Sequence, residues 1–216
     1  MFLRSPKTAS SSLSEFFIKN IPDKNAIYTP VPDSNINGTV SKEIIQNNLG
    51  HFKYFHLTLQ ELVDQGVILK EQAQAYRIIT VIRDPEDRQK SFAYFYSSFR
   101  GRKRRPIDLP YYKRQAPEGY FKKEPNSKIL QTEFPILNGR DIGEYWLYEN
   151  LNEHLLEFMK SINVNISYSL PELKKGFRRD NEFKFDEKAL DVMKKHFKRD
   201  FQVYERLKNE SIHFKN

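Results

Sequence analysis

Apolar positions along this chain fall into short continuous runs separated by helical stripes, and the alternation of the two sets the expected fold. The strongest run is Tyr76–Ile82, "YRIITVI". It is nearly unbroken, as expected of a strand buried on both faces of a parallel sheet. A shorter stub, "MFLR" at Met1–Arg4, precedes a turn of small residues and then "SEFFIKNI", which reads as helix. "AIYTPV" (Ala26–Val31), "HFKYFHL" (His51–Leu57) and "EYWLYENL" (Glu144–Leu151) are further strand candidates. Between them, Thr58 with Glu61 has capping-box spacing for a helix that Gly66 ends. Asp84 suits the N-cap and Pro85 the first turn of a helix running to about Phe99. "NEHLLEFMKSI" places Leu151, Leu155, Phe158, Met159 and Ile162 on one side of a helix, and one long terminal helix is expected over about Asp186–Leu207. Strands alternating with helices predict an α/β fold: a single domain over residues 1–216, with a central, mostly parallel sheet flanked by helices. Gly101–Gln131, basic and rich in proline, reads as an insertion in that domain.

Two of the predicted strand-to-helix turns carry chemistry. The first is "SPKTASSSL", Ser5–Leu13, where Lys7 stands among hydroxyl side chains just ahead of a helix start. Helix starts leave backbone N–H groups unpaired and favour negative charge, so this is the layout of an anion-binding loop. An ordinary N-cap with a serine-rich lead-in has the same spelling. The nucleotide-triphosphatase pattern G-x-x-x-x-G-K-[ST] is absent, for no glycine stands between Met1 and Asn37. The second turn is "VIRDPEDRQKSF", with Arg83 at the end of the buried strand and Ser91 about 9–10 Å along the helix. A guanidinium and a hydroxyl there suit one phosphate-like group. In the competing reading Arg83 and Asp84 pair with neighbouring loop groups and Arg88 is solvated.

Composition narrows the partners. The 216 residues carry a net charge of +8, so anionic partners are expected: nucleotide, nucleic acid, acidic glycan or membrane surface. Aromatic residues make up 14%, enough for a packed core. There is no cysteine, hence no disulfide, thiolate metal site or thiol nucleophile. No apolar run approaches a membrane span and no signal-peptide core is present, so a cytoplasmic location is the expectation. No His, Asp and Glu set has metal-ligand spacing.

Taken together, "PKTASSSL" and "IRDPEDRQKSFAYFY" resemble the sulfotransferases that use 3′-phosphoadenosine 5′-phosphosulfate (PAPS), and most of all the carbohydrate, glycan-type members. "DIGEYWLYENLNEHLLEFMKSINV" is similar to that family's strand–"YENL"–helix segment. "LPELKKGFRRD" looks like its cofactor-covering loop and "FKRDFQVYERL" like its closing helix. The resemblance implies a P-loop-like domain in which Lys7, Thr8, Ala9, Ser10, Ser11, Ser12 and Leu13 cradle the 5′-phosphosulfate. It further implies that Arg83 and Ser91 bind the 3′-phosphate, with Lys175 and Arg178 on the covering loop. Two departures stand out: Ala9 and Ser10 occupy positions where many relatives carry glycine, and Lys174-Lys175-Gly176 replaces the usual Asn-Lys-Ser.

Sulfuryl transfer needs a base for the acceptor hydroxyl, a cation for charge developing on the leaving phosphate oxygen, and donors for the departing nucleotide. His56 is the expected base. Its ordinary pKa suits the task, it is placed at a predicted strand end, and "YFHLTLQEL" resembles the family's histidine segment. His51 is the lesser candidate because an offset of five turns it to the other strand face. A half-buried structural histidine is the competing reading of His56. Lys7 is the expected cation, and lysine with arginine makes a metal unnecessary.

The acceptor is expected to be a carbohydrate or another anionic small molecule. Arg100, Arg102, Lys103, Arg104 and Arg105 fill five of six positions after the second helix, placed to capture an anionic acceptor. Tyr111, Tyr112, Tyr120 and Phe121 offer stacking faces nearby, while a solvated basic loop is the plain alternative. Two other functions compete: a nucleic-acid-binding module built on that basic run and its tyrosines, and an inactive, sulfotransferase-like scaffold.

Overall fold

The computed structural model describes residues 1–21, 56–99, 129–164 and 184–213. Close packing groups the chain into two compact units, Met1–Ile82 with Gln131–Leu173, and Arg83–Leu130 with Lys174–Asn216.

The first unit contains a three-stranded parallel sheet in the order β1-β2-β5. β1 is Phe2–Leu3, β2 is Ile78–Ile82 and, counting the hairpin below, β5 is Gly143–Leu147. Phe2 pairs with Ile79 and Leu3 with Thr80, while Ile78 through Ile82 pair in step with Gly143 through Leu147. Every residue of the central strand β2 is buried, as its apolar run predicts. One sheet face carries helices α1 (Ser10–Asn20) and α5 (Leu151–Ser161). Phe2, Ile79, Val81 and Trp146 meet Leu13, Phe16, Phe17, Leu151, Leu155 and Met159 there. Phe17 anchors this cluster with edge contacts to Phe2 and Phe158 at 5.4 and 5.8 Å. Ile162 falls outside the stripe expected of it: it follows the last turn of α5 and is exposed.

Two short helices, α2 (Leu59–Asp64) and α3 (Lys70–Ala75), lead into β2. α2 starts as predicted, with Thr58 and Glu61 each satisfying the other's backbone N–H, and Gly66 takes the left-handed conformation two residues after it. The hairpin β3 (Ile136–Leu137) and β4 (Arg140–Asp141) has no counterpart among the strands expected from periodicity. Its turn is Asn138-Gly139, both at positive φ, the combination a two-residue hairpin demands. The Asn138 N–H donates to Gln60 Oε1 at 2.8 Å, tying the turn to α2.

In the second unit α4 spans Pro85–Phe99, matching the boundaries read from Asp84 and Pro85. Asp84 Oδ1 accepts from the Asp87 N–H at 2.8 Å. The single terminal helix expected over Asp186–Leu207 is two: α6 (Glu187–His196) and α7 (Lys198–His213). Phe197 interrupts them with its side chain fully buried, so the bend lets an aromatic anchor enter the core. Arg88 departs from the competing reading of its turn, being fully buried rather than solvated. It donates to the Ile129 carbonyl at 2.8 Å, faces buried Asp200 at 3.8 Å, and lies over the rings of Phe92 and Phe197.

Among the described residues no helix is long and apolar enough to cross a membrane. The candidate strand Ala26–Val31 lies outside the described residues.

Candidate anion-binding site

The turn between β1 and α1 is built from the inside by hydroxyls. The Ser5 hydroxyl donates to the Val81 carbonyl of β2 at 3.0 Å, and Thr8 Oγ1–H donates back to the Ser5 carbonyl at 2.8 Å. The two hydroxyl oxygens are 2.9 Å apart, so two protons serve three short contacts in a fully buried cluster. Thr8 therefore spends its side chain on holding the loop. Leu13, read as part of the cradle, is a core residue: its side chain is buried in the apolar cluster and its N–H donates to the Ala9 carbonyl at 3.1 Å.

Above this base, Lys7 and Ala9 both adopt positive φ, 65° and 56°. Residues with a Cβ disfavour that region by roughly 1–2 kcal/mol, and here it occurs twice in three residues. These are backbone shapes that glycine adopts freely, so the loop achieves without glycine what its spelling seemed to forbid. Ala9 is the N-cap of α1 and provides no side-chain acceptor, and no acidic residue stands in the first turn. The amides of Ser10, Ser11 and Ser12 thus open the helix with no intrahelical partner and an unopposed dipole behind them. Lys7 is half-buried at the lip of this turn.

His56 joins the loop from 52 residues away. Its Nδ1 lies 2.8 Å from the Arg4 carbonyl, and since a carbonyl only accepts, Nδ1–H is the donor. In the neutral ring that leaves the lone pair on Nε2, the arrangement a general base requires. His56 was expected at a strand end. His56 and Leu57 are irregular backbone leading to the Thr58 cap, and residues 51–55 of that strand, His51 among them, lie outside the described residues.

Arg4 went unnoticed in the sequence as the tail of an apolar stub. It is 2% exposed, and burial holds its guanidinium down, to about 10. Its Nη2 donates to Ser11 Oγ at 3.3 Å, so one residue touches both His56 and the first turn of α1. The available signal was a charge placed directly after two buried strand residues.

The second turn lies in the second unit and is organised differently. The Arg83 side chain is 8% exposed, and its Nε donates to Asp87 Oδ2 at 2.6 Å, with Nη2 on the same oxygen. Ser91 is half-buried on α4, two turns in. The neighbouring Asp84 carboxyl is pushed up by burial, against the opposing hydrogen bond from the Asp87 N–H. Lys175 and Arg178, the basic residues Arg100, Arg102, Lys103, Arg104 and Arg105, and the aromatic residues Tyr111, Tyr112, Tyr120 and Phe121 lie outside the described residues.

Compared with protein-family models, with curated proteins and with solved structures, the chain matches none.

Proposed function

We propose that this chain is a PAPS-dependent sulfotransferase with a P-loop-like domain, moving a sulfuryl group to a hydroxyl of a carbohydrate acceptor. The observation that carries this reading is the bond from His56 Nδ1–H to the carbonyl of Arg4, three residues before Lys7. It joins the proposed base to the loop of the proposed cation, and it orients the ring with Nε2 as the basic nitrogen. On this reading His56 Nε2 takes the acceptor's proton as the hydroxyl oxygen attacks sulfur. Lys7 and the opening amides of α1 meet the charge that develops on the departing phosphate oxygen. Arg83 and Ser91 hold the 3′-phosphate. Arg100, Arg102, Lys103, Arg104 and Arg105 supply the cationic surface for an acidic acceptor, and the location proposed is cytoplasmic.

The test begins with thermal unfolding of the chain with and without adenosine 3′,5′-bisphosphate, the reaction's nucleotide product. A hundredfold excess over the dissociation constant adds about 2.7 kcal/mol, a rise of roughly 5–10 °C for a chain this size. Sulfate transfer from PAPS to a panel of glycans then separates an enzyme from an inactive scaffold. No stabilisation by the bisphosphate, together with DNA or RNA binding that weakens steeply with salt, overturns the reading in favour of a nucleic-acid module.

A further inference from the structure

We infer that Asp87 is a positioning residue that holds Arg83 in the orientation needed to take the nucleotide's 3′-phosphate; this rests on the sulfotransferase reading. Arg83 is nearly buried, and burying a guanidinium carries a desolvation cost that an apolar side chain at the same place would not. Its stabilising value alone therefore does not account for a charge directly after the apolar strand β2. Asp87 is the partner that makes the charge usable. One carboxylate oxygen receives both Nε and Nη2, which fixes the guanidinium plane along one edge. Asp87 is itself fixed, because its N–H is held by Asp84 Oδ1 in the cap of α4. The order of support runs Asp84 to Asp87 to Arg83, all within five consecutive residues, "RDPED". The next carboxylate along, Glu86, is engaged by Lys90 at 2.6 Å, so it does not compete for Arg83.

A planar fork held in advance loses less entropy when a dianion arrives. Asp87 also limits the site's appetite. The Asp87 carboxylate charge beside Arg83 disfavours loosely placed anions, so a phosphate must make well-directed contacts to bind. Asp87 should therefore govern discrimination between nucleotides with and without a 3′-phosphate, rather than affinity for nucleotides in general.

Calorimetric titration of the full chain and of Asp87→Asn with adenosine 3′,5′-bisphosphate and with adenosine 5′-monophosphate tests this. For the variant, the bisphosphate dissociation constant is expected to rise about tenfold, as for other orienting hydrogen-bond partners, with the monophosphate constant nearly unchanged. Asp87→Glu, which keeps the charge, should restore at least part of the discrimination, and thermal unfolding verifies that both variants fold. Unchanged or tighter bisphosphate binding by Asp87→Asn overturns the inference, as does an equal loss for both nucleotides. Absence of bisphosphate binding by the unaltered chain overturns the sulfotransferase reading itself, a different result from a variant that behaves like its parent.

Discussion

The two strand-to-helix turns solve the same electrostatic problem in opposite ways. After β1 the chain leaves the helix start open: Ala9 caps nothing, the first turn holds no carboxylate, and two residues accept positive φ. After β2 the helix start is closed from within, by Asp84 on the Asp87 amide and by Glu86 and Asp87 against the dipole. An anion can be met by main-chain amides at the first turn. At the second the Asp87 amide is already served by Asp84, and on the proposed reading a ligand there is held by the side chains of Arg83 and Ser91. The open turn carries backbone strain at Lys7 and Ala9, and each turn has a buried arginine beside it, Arg4 and Arg83.

The largest effects should separate chemistry from folding at the open turn. His56→Ala and Lys7→Ala are each expected to lower turnover by at least about 100-fold, with unfolding temperatures close to that of the parent. Near-parental turnover in either variant removes that residue from the mechanism. The second unit should show the reverse pattern at Arg88. Arg88→Met leaves Asp200 buried without its cation and should cost about 3 kcal/mol or more in denaturant unfolding.

A smaller pair of changes exchanges the character of the two turns. Ala9→Asp puts at the start of α1 a negative charge of the kind that α4 already has. It should weaken bisphosphate binding about tenfold, since each lost or opposed charge contact is worth about 1.4 kcal/mol at that ratio. Asp84→Ala should cost about 1 kcal/mol of stability and, by loosening Asp87 and with it Arg83, weaken bisphosphate binding by less than Ala9→Asp does. Equal effects on affinity at both turns would erase the distinction drawn between them.

The smallest effect concerns pH. The His154 ring stacks on Trp146, and its Nε2 accepts from the Leu147 N–H at 3.2 Å. Burial holds its pKa below the ordinary 6.5, against the raising influence of Glu157, Glu144 and Glu153. The folded chain thus binds fewer protons here than the unfolded chain. This contribution to stability is complete above pH 6.5 and declines as the pH falls through that value toward the lowered one. Unfolding midpoints measured across that range should fall on acidification, and His154→Gln should flatten the decline.

Local chemistry made much of the fold legible in the sequence. Asp84-Pro85 marked α4, Thr58 with Glu61 marked α2, and the unbroken run through Ile82 marked the central parallel strand. Asn138-Gly139 was an equally plain hairpin signal, but its strands are two residues each, too short for an alternating pattern to register. The buried charges were hidden for a different reason. Periodicity assigns arginine to the surface, and only tertiary packing reveals that Arg4 and Arg88 are enclosed. The loop's positive φ values escaped because alanine and lysine do not announce a conformation that glycine would.

The hold on His56 has a genetic corollary. Its anchor is a peptide oxygen of Arg4, and every amino acid supplies one, so no single codon change at position 4 deletes it. Loss of the ring's orientation requires the polypeptide path itself to shift. Among neighbouring positions, those that would uncouple the histidine are the ones shaping that path, Ser5 and Thr8, rather than its direct contact.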